Sequence, residues 1–120
     1  MLFLIIELLL EIQAAKNENC YTQFMNKLKK VRLLILDDLG LKSYTLEESR
    51  DILEIAESRY NISSTILSGQ IPHTHWHDLF PDPALADAIM DRIIHNAYIL
   101  PLDSKKSMRE VMAKKTIQAI

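Results

Sequence analysis

Leu33-Leu34-Ile35-Leu36-Asp37-Asp38-Leu39-Gly40 runs four consecutive aliphatic side chains into two adjacent carboxylates and a glycine. A continuous apolar run of this length, bounded by charge on both sides, predicts a strand over Leu33–Leu36 buried on both faces of a parallel sheet. In open α/β sheets, ligands lie in the crevice beyond the carboxyl ends of the strands. Asp37 and Asp38 would emerge there, one to hold Mg²⁺ directly or through water and its neighbour to polarise an attacking water. The alternative is an acidic loop that closes a core strand and does nothing more.

Working outward, Met1 to Ile6 reads as a buried strand end passing into a helix that carries Leu8, Leu9 and Ile12 to about Lys16 and breaks at Asn17-Glu18-Asn19. A second helix is expected from Tyr21 to Lys30, with Phe24, Leu28 and Val31 on one face. Thr45-Leu46-Glu47-Glu48 has the form of a capping box and opens a helix to about Tyr60. The β-branched run Ser64-Thr65-Ile66-Leu67 predicts a second strand, ended by Ser68-Gly69-Gln70. Asp82-Pro83 starts a further helix to about Asn96, and Tyr98-Ile99-Leu100 predicts a third strand, stopped by Pro101. Asp103 to Ile120 reads as a basic helical tail anchored by Met108, Val111 and Met112. Helices alternating with short buried strands give a parallel, doubly wound sheet.

The 120 residues suit one domain, and 48% apolar with 25% charged residues is the composition of an ordinary globular chain rather than a disordered one. A net charge of −2 does not advertise nucleic-acid binding, although Lys27 to Arg32 and Lys105 to Arg109 are short basic clusters suited to solvent or to a phosphate backbone. A single cysteine, Cys20, forms no internal disulfide and fits a reducing compartment. Glu7 and Glu11 interrupt the N-terminal apolar run, which is too short to span a bilayer, so a cytoplasmic protein is expected. The two glycines, Gly40 and Gly69, do not precede a Lys-Ser/Thr pair, so the glycine-rich loop that cradles phosphates is not found in this sequence.

Ser68 and Gln70 end the strand after the acidic one, so in a parallel sheet they emerge beside Asp37 and Asp38 and could orient water against a terminal phosphate. Turn chemistry is the plainer account of Ser-Gly. Arg92 falls at the border of the apolar side of its helix, available to a partner's phosphate, although on spacing alone a local ion pair with Asp87 or Ala-rich packing around its stem is the plainer account. His73, His75 and His77 tempt a metal assignment, but residues two apart on a helix diverge by about 200°. His73 and His77 could meet, yet no carboxylate or cysteine set completes four ligands, and Trp76 reads as a packing residue.

Taken together, these segments resemble the IstB-like transposition helper ATPases, grouped with the DnaC-type helicase loaders in the AAA+ class. The resemblance is carried by Leu9-Leu10-Glu11 with Ala14-Ala15, by Leu33 to Gly40, by Glu47-Glu48 with Ser58-Arg59-Tyr60, by Ser64 to Pro72, by Asp82 to Arg92, by His95-Asn96-Ala97 and by Ser107-Met108-Arg109. It implies a partial P-loop NTPase (AAA+) fold, a parallel sheet with flanking helices missing the first strand and the P-loop helix. Residues 1–102 would form the ATPase part and 103–120 the tail.

On that resemblance Asp37 and Asp38 are the Walker B pair, with Asp37 on Mg²⁺ and Asp38 catalytic. Ser68 to Gln70 is the sensor-1 segment, where relatives more often carry Thr-Ser-Asn. Arg92 is the catalytic arginine facing a neighbouring protomer's nucleotide. ATP and Mg²⁺ are the implied cofactors, and transposase and DNA the implied partners. Met1-Leu2-Phe3 matches the end of the family's second sheet strand, so the chain is expected to be a carboxyl-terminal piece that binds ATP weakly alone. The absent P-loop strand would leave a gap between Ser64–Leu67 and Tyr98–Leu100, to be closed by self-association, by another chain or by the last strand moving over. Two other readings stay open: a non-catalytic module joining intact helper oligomers through its Arg92 face, and a decayed gene product.

Overall fold

The computed structural model describes residues 1–95 and 97–100. Strand β1 (Leu2–Leu4) leads directly into helix α1 (Ile5–Asn17), followed by α2 (Tyr21–Lys30), β2 (Leu33–Leu39), α3 (Leu46–Arg59), β3 (Ser64–Gly69), a 3₁₀ segment (His73–Leu79) and α4 (Pro83–Ile94). The strands form one parallel sheet in the order β1-β2-β3, flanked by the helices.

Local chemistry accounts for the helix starts. At α3 the Thr45 hydroxyl accepts the Glu48 N–H while the Glu48 carboxylate accepts the Thr45 N–H, the reciprocal capping box. At α4 the Asp82 carboxylate accepts the Ala84 N–H at 3.0 Å, and Pro83 occupies a first-turn position where its missing donor costs nothing. Lys16 bridges Glu47 at 3.1 Å and Asp51 at 2.9 Å, fastening the end of α1 to α3.

The core gathers Ile5, Leu8 and Ile12 of α1, Met25 and Leu28 of α2, Leu34, Leu36 and Leu39 of β2, Ile52 and Ile55 of α3, and Ile89 of α4. Burial of apolar surface on this scale is the main favourable term in folding. Four expectations need correction. β2 extends to Leu39 and takes both carboxylates into the strand. It is not buried on both faces: Leu34 and Leu36 are inside, whereas Leu33 is 39% exposed and Ile35 half-buried. β1 forms, but as an edge strand with Leu2 67% exposed, because its outer side has no neighbour among the described residues.

Tyr98-Ile99-Leu100 is not a strand; its side chains are about half exposed. A three-residue apolar run has no strand geometry of its own without a partner ladder. The outer edge of β3 therefore stays unpaired among the described residues, and the last segment does not close it. α4 ends at Ile94; Asn96 and the tail over 103–120 lie outside the described residues.

Candidate site at the carboxyl ends of the second and third strands

Leu36 pairs with Leu67, and the next matched pair is Leu39 with Gly69, so β2 advances three residues while β3 advances two. The extra residue makes a β-bulge at Asp37-Asp38, a device that bends a strand and re-aims its side chains. Asp38 has φ +62°, in the left-handed region that costs a non-glycine residue roughly 1–2 kcal/mol. Such strain persists where the surroundings over-determine it, and it concentrates at functional sites.

Two contacts fix Asp37. Its Oδ1 accepts the Asp38 N–H at 2.8 Å and also the Ser68 hydroxyl, which reaches across from β3. Parallel pairing thus brings together residues that are far apart in sequence, and both carboxylates remain half-buried rather than fully enclosed.

The strands approach closely because position 69 is glycine. A Cβ there would lie 2.6 Å from the Leu39 carbonyl oxygen. Turn chemistry is therefore not the reason for this glycine; backbone proximity is. Gly40, by contrast, has φ +101° and turns the chain out of β2. Its N–H donates to the Tyr44 hydroxyl at 3.3 Å. Tyr44 is buried and stacks on Phe80 with ring centroids 5.6 Å apart. Burial raises its pKa, the Gly40 N–H opposes that, and the nearby Glu48 charge adds to it, so the hydroxyl stays protonated. Nothing in the sequence around Tyr44 marks this role beyond its place before a helix cap.

The other predicted site residues lie apart. Gln70 is exposed and makes no hydrogen bond to either carboxylate. Arg92 lines a cavity of about 160 Å³ at the opposite end of β3, with Ser64, Thr65, Tyr60 and His95. Its ion-pair partners are Asp91 at 2.7 Å and Glu57 at 3.9 Å, with Tyr60 beneath its guanidinium, and not Asp87. Asp87 instead pairs with His77 at 2.8 Å. His73 meets Trp76 edge-on, and the Trp76 indole N–H donates to the Ile71 carbonyl at 3.1 Å, as befits a packing residue.

Arg59 is a residue whose role the sequence did not reveal. Only 2% exposed, it donates from one guanidinium to the carbonyls of Leu28 at 2.7 Å, Val31 at 2.6 Å, Arg32 at 3.4 Å and Ser64 at 2.5 Å, and to the Thr65 hydroxyl at 2.8 Å. This one side chain ties the end of α2 to the starts of β2 and β3.

Asp37, Asp38 and Ser68 offer only oxygen atoms, the donor type that hard cations prefer. No group of three or more His, Cys, Asp and Glu that could hold a metal occurs among the described residues. That donor set fits Mg²⁺, which takes one or two carboxylates and completes its shell with water and substrate phosphates. No helix among the described residues is long and apolar enough to cross a membrane.

Comparison with known proteins gives one consistent result. The family described as IstB-like ATP binding protein matches residues 2–116. A proposed insertion sequence ATP-binding protein of Sinorhizobium fredii, y4pL, is 40% identical over 102 residues, covering 85% of this chain and 41% of the relative. The proposed ATP-binding protein of insertion sequence IS232 from Bacillus thuringiensis is 33% identical, covering 80% of this chain and 38% of its own length. That of IS21 from Pseudomonas aeruginosa is 32% identical, covering 78% and 35%. The chain thus spans about two fifths of the length of these relatives.

Proposed function

Because the chain belongs to the IstB-like ATP binding protein family, we propose that Asp37, Asp38 and Ser68 form the magnesium-holding and water-polarising half of an ATP site in an insertion-sequence helper protein. The observation that carries the reading is the Ser68–Asp37 hydrogen bond beside a strained Asp38, at the strand ends where α/β sheets bind ligands. Bound Mg²⁺ supplies charge neutralisation on the phosphates. Asp37 would hold the ion directly or through water, with its Oδ1 kept in place by Ser68 and by the Asp38 N–H. Asp38 accepts a proton from the attacking water at its carboxylate. Gln70, exposed at the end of the same segment, reaches the terminal phosphate side of the nucleotide, and Arg92 serves a neighbouring protomer.

No glycine-rich stretch ahead of Lys-Ser/Thr occurs in the 120 residues, so the acidic pair is not accompanied in them by a phosphate-cradling loop. Transposase and DNA are the partners of the whole protein, and the open edge of β3 is a place for another strand or another copy. Carboxylates repel a triphosphate and engage it only through Mg²⁺. Calorimetric titration of this chain with Mg-ATP is therefore expected to give at most very weak binding. Joining a relative's strand, phosphate loop and helix ahead of Met1 is expected to produce both tight binding and hydrolysis. A chimera that binds Mg-ATP tightly but never hydrolyses it would overturn the assignment of the acidic pair.

A further inference from the structure

A left-handed Asp38 needs support on both sides. Before it, the bulge pairing and the Asp37 Oδ1 contact hold the backbone. After it, the chain leaves the sheet through Gly40, whose N–H is taken by the Tyr44 hydroxyl at 3.3 Å. Tyr44 itself is anchored three ways: 3% exposed, stacked on Phe80, and with its own N–H donating to the Leu79 carbonyl at 2.8 Å. Its neighbour Thr45 caps α3. The acidic turn is thereby tied to the rigid start of α3 and to the end of the 3₁₀ segment that follows Gln70.

We propose that the Tyr44 hydroxyl is a positioning group for the acidic pair: by holding the Gly40 N–H it fixes the turn that aims Asp38, and so sets the affinity of Asp37 and Asp38 for a divalent cation. Tyr44 touches neither the cation nor the nucleotide. The inference rests on the reading that the two carboxylates hold Mg²⁺. A Cβ at Gly40 would lie 3.0 Å from Ile71 Cγ1 and the residue has φ +101°, so the turn needs glycine here, and the Tyr44 hydroxyl is the partner of its N–H. Fixing a ligand-bearing backbone before binding removes the cost of ordering it during binding.

The test is a titration of the whole chain with manganese chloride, followed by paramagnetic broadening of backbone amide resonances, in the parent and in Tyr44→Phe. Phenylalanine keeps the ring on Phe80 and removes only the acceptor. The expected result is broadening centred on Asp37, Asp38 and Ser68 in both proteins, with apparent affinity weaker on the order of five-fold in Tyr44→Phe, the scale of one hydrogen bond. Resonances away from the turn should be unmoved. Equal affinity in the two proteins overturns the positioning role and leaves the cation site standing. Absence of broadening at Asp37 and Asp38 in the parent overturns the cation site and the inference with it. Should Tyr44→Phe not fold, a magnesium chloride titration of the parent with the Tyr44 ring carbon labelled beside its hydroxyl decides. A ring shift tracking the Asp38 amide supports the role, and an unmoved ring contradicts it.

Discussion

The Ser68 hydroxyl donates to Asp37 Oδ1 and thereby joins the carboxyl ends of β2 and β3. A hydrogen bond to a charged acceptor is worth about 1.5–3 kcal/mol. Keeping it requires the two backbones to stay as close as the bulge brings them.

Gly69 makes that approach possible, so Gly69→Ala is a sharp probe. Its methyl would meet the Leu39 carbonyl oxygen at 2.6 Å, a main-chain atom with no rotamer to yield. The expected cost is on the order of 1–3 kcal/mol, as for overpacking elsewhere. Denaturant unfolding measures it, and amide shifts at Asp37 and Ser68 should move with it. A variant as stable as the parent, with those shifts unchanged, would mean that the strands are not held at this distance.

Arg59 makes its prediction for the opposite end of the sheet. Burial lowers its pKa without discharging it, and backbone carbonyls of Leu28, Val31 and Ser64 surround its guanidinium. Arg59→Ala removes these bonds and is expected to cost on the order of 3 kcal/mol or more, a large share of a typical domain's stability. Arg59→Lys should recover little of it, since an ammonium cannot present a planar fork to several carbonyls. Thermal melting compares the two. Full recovery by lysine would reduce Arg59 to a simple charge.

Stability should also fall in alkali for an identifiable reason. The Tyr21 hydroxyl lies against Glu54 and Asp51, and burial first, then these carboxylates, raise its pKa well above the ordinary 10.0. A raised folded-state value means that its contribution is fully present below pH 10.0 and is lost as pH rises through the higher folded value. Urea unfolding on either side of that pH should show the loss, and Tyr21→Phe should flatten the slope, leaving the shares of Tyr44, raised by burial, and of Lys16, whose burial is outweighed by Asp51 and Glu47, which raise it. An unchanged slope in Tyr21→Phe would place the alkaline transition elsewhere.

What could be read from the sequence divides by the range of the interactions concerned. The Thr45–Glu48 box and the Asp82-Pro83 start are written within a few neighbouring residues, and both appear as expected. The parallel pairing of β2 with β3 was legible because each strand carries its own signal, a continuous apolar run in Leu33–Leu36 and β-branched residues in Ser64–Leu67. The bulge was not, because it exists only when Leu39 meets Gly69 across the sheet. For Arg92 the sequence offers a partner's phosphate or a helix neighbour, Asp87; the ion pair that forms is set instead by packing of α4 on α3, which brings Glu57 and Tyr60 to it. Tyr98-Ile99-Leu100 has strand composition, but composition does not supply the partner that a ladder needs. Tyr44 was hidden for the same reason, since its value lies in a contact with Gly40 that only the folded turn creates.

The central claim concerns Asp38, and the most direct measurement is steady-state ATP hydrolysis by the chimera carrying a relative's phosphate loop, with and without Asp38→Asn. If Asp38 takes the proton of the attacking water, the amide should lower kcat roughly a hundredfold while Mg-ATP binding, read by calorimetry, changes far less. Equal losses of binding and turnover would make Asp38 a holder of the ion instead, and unchanged turnover would remove it from the chemistry altogether.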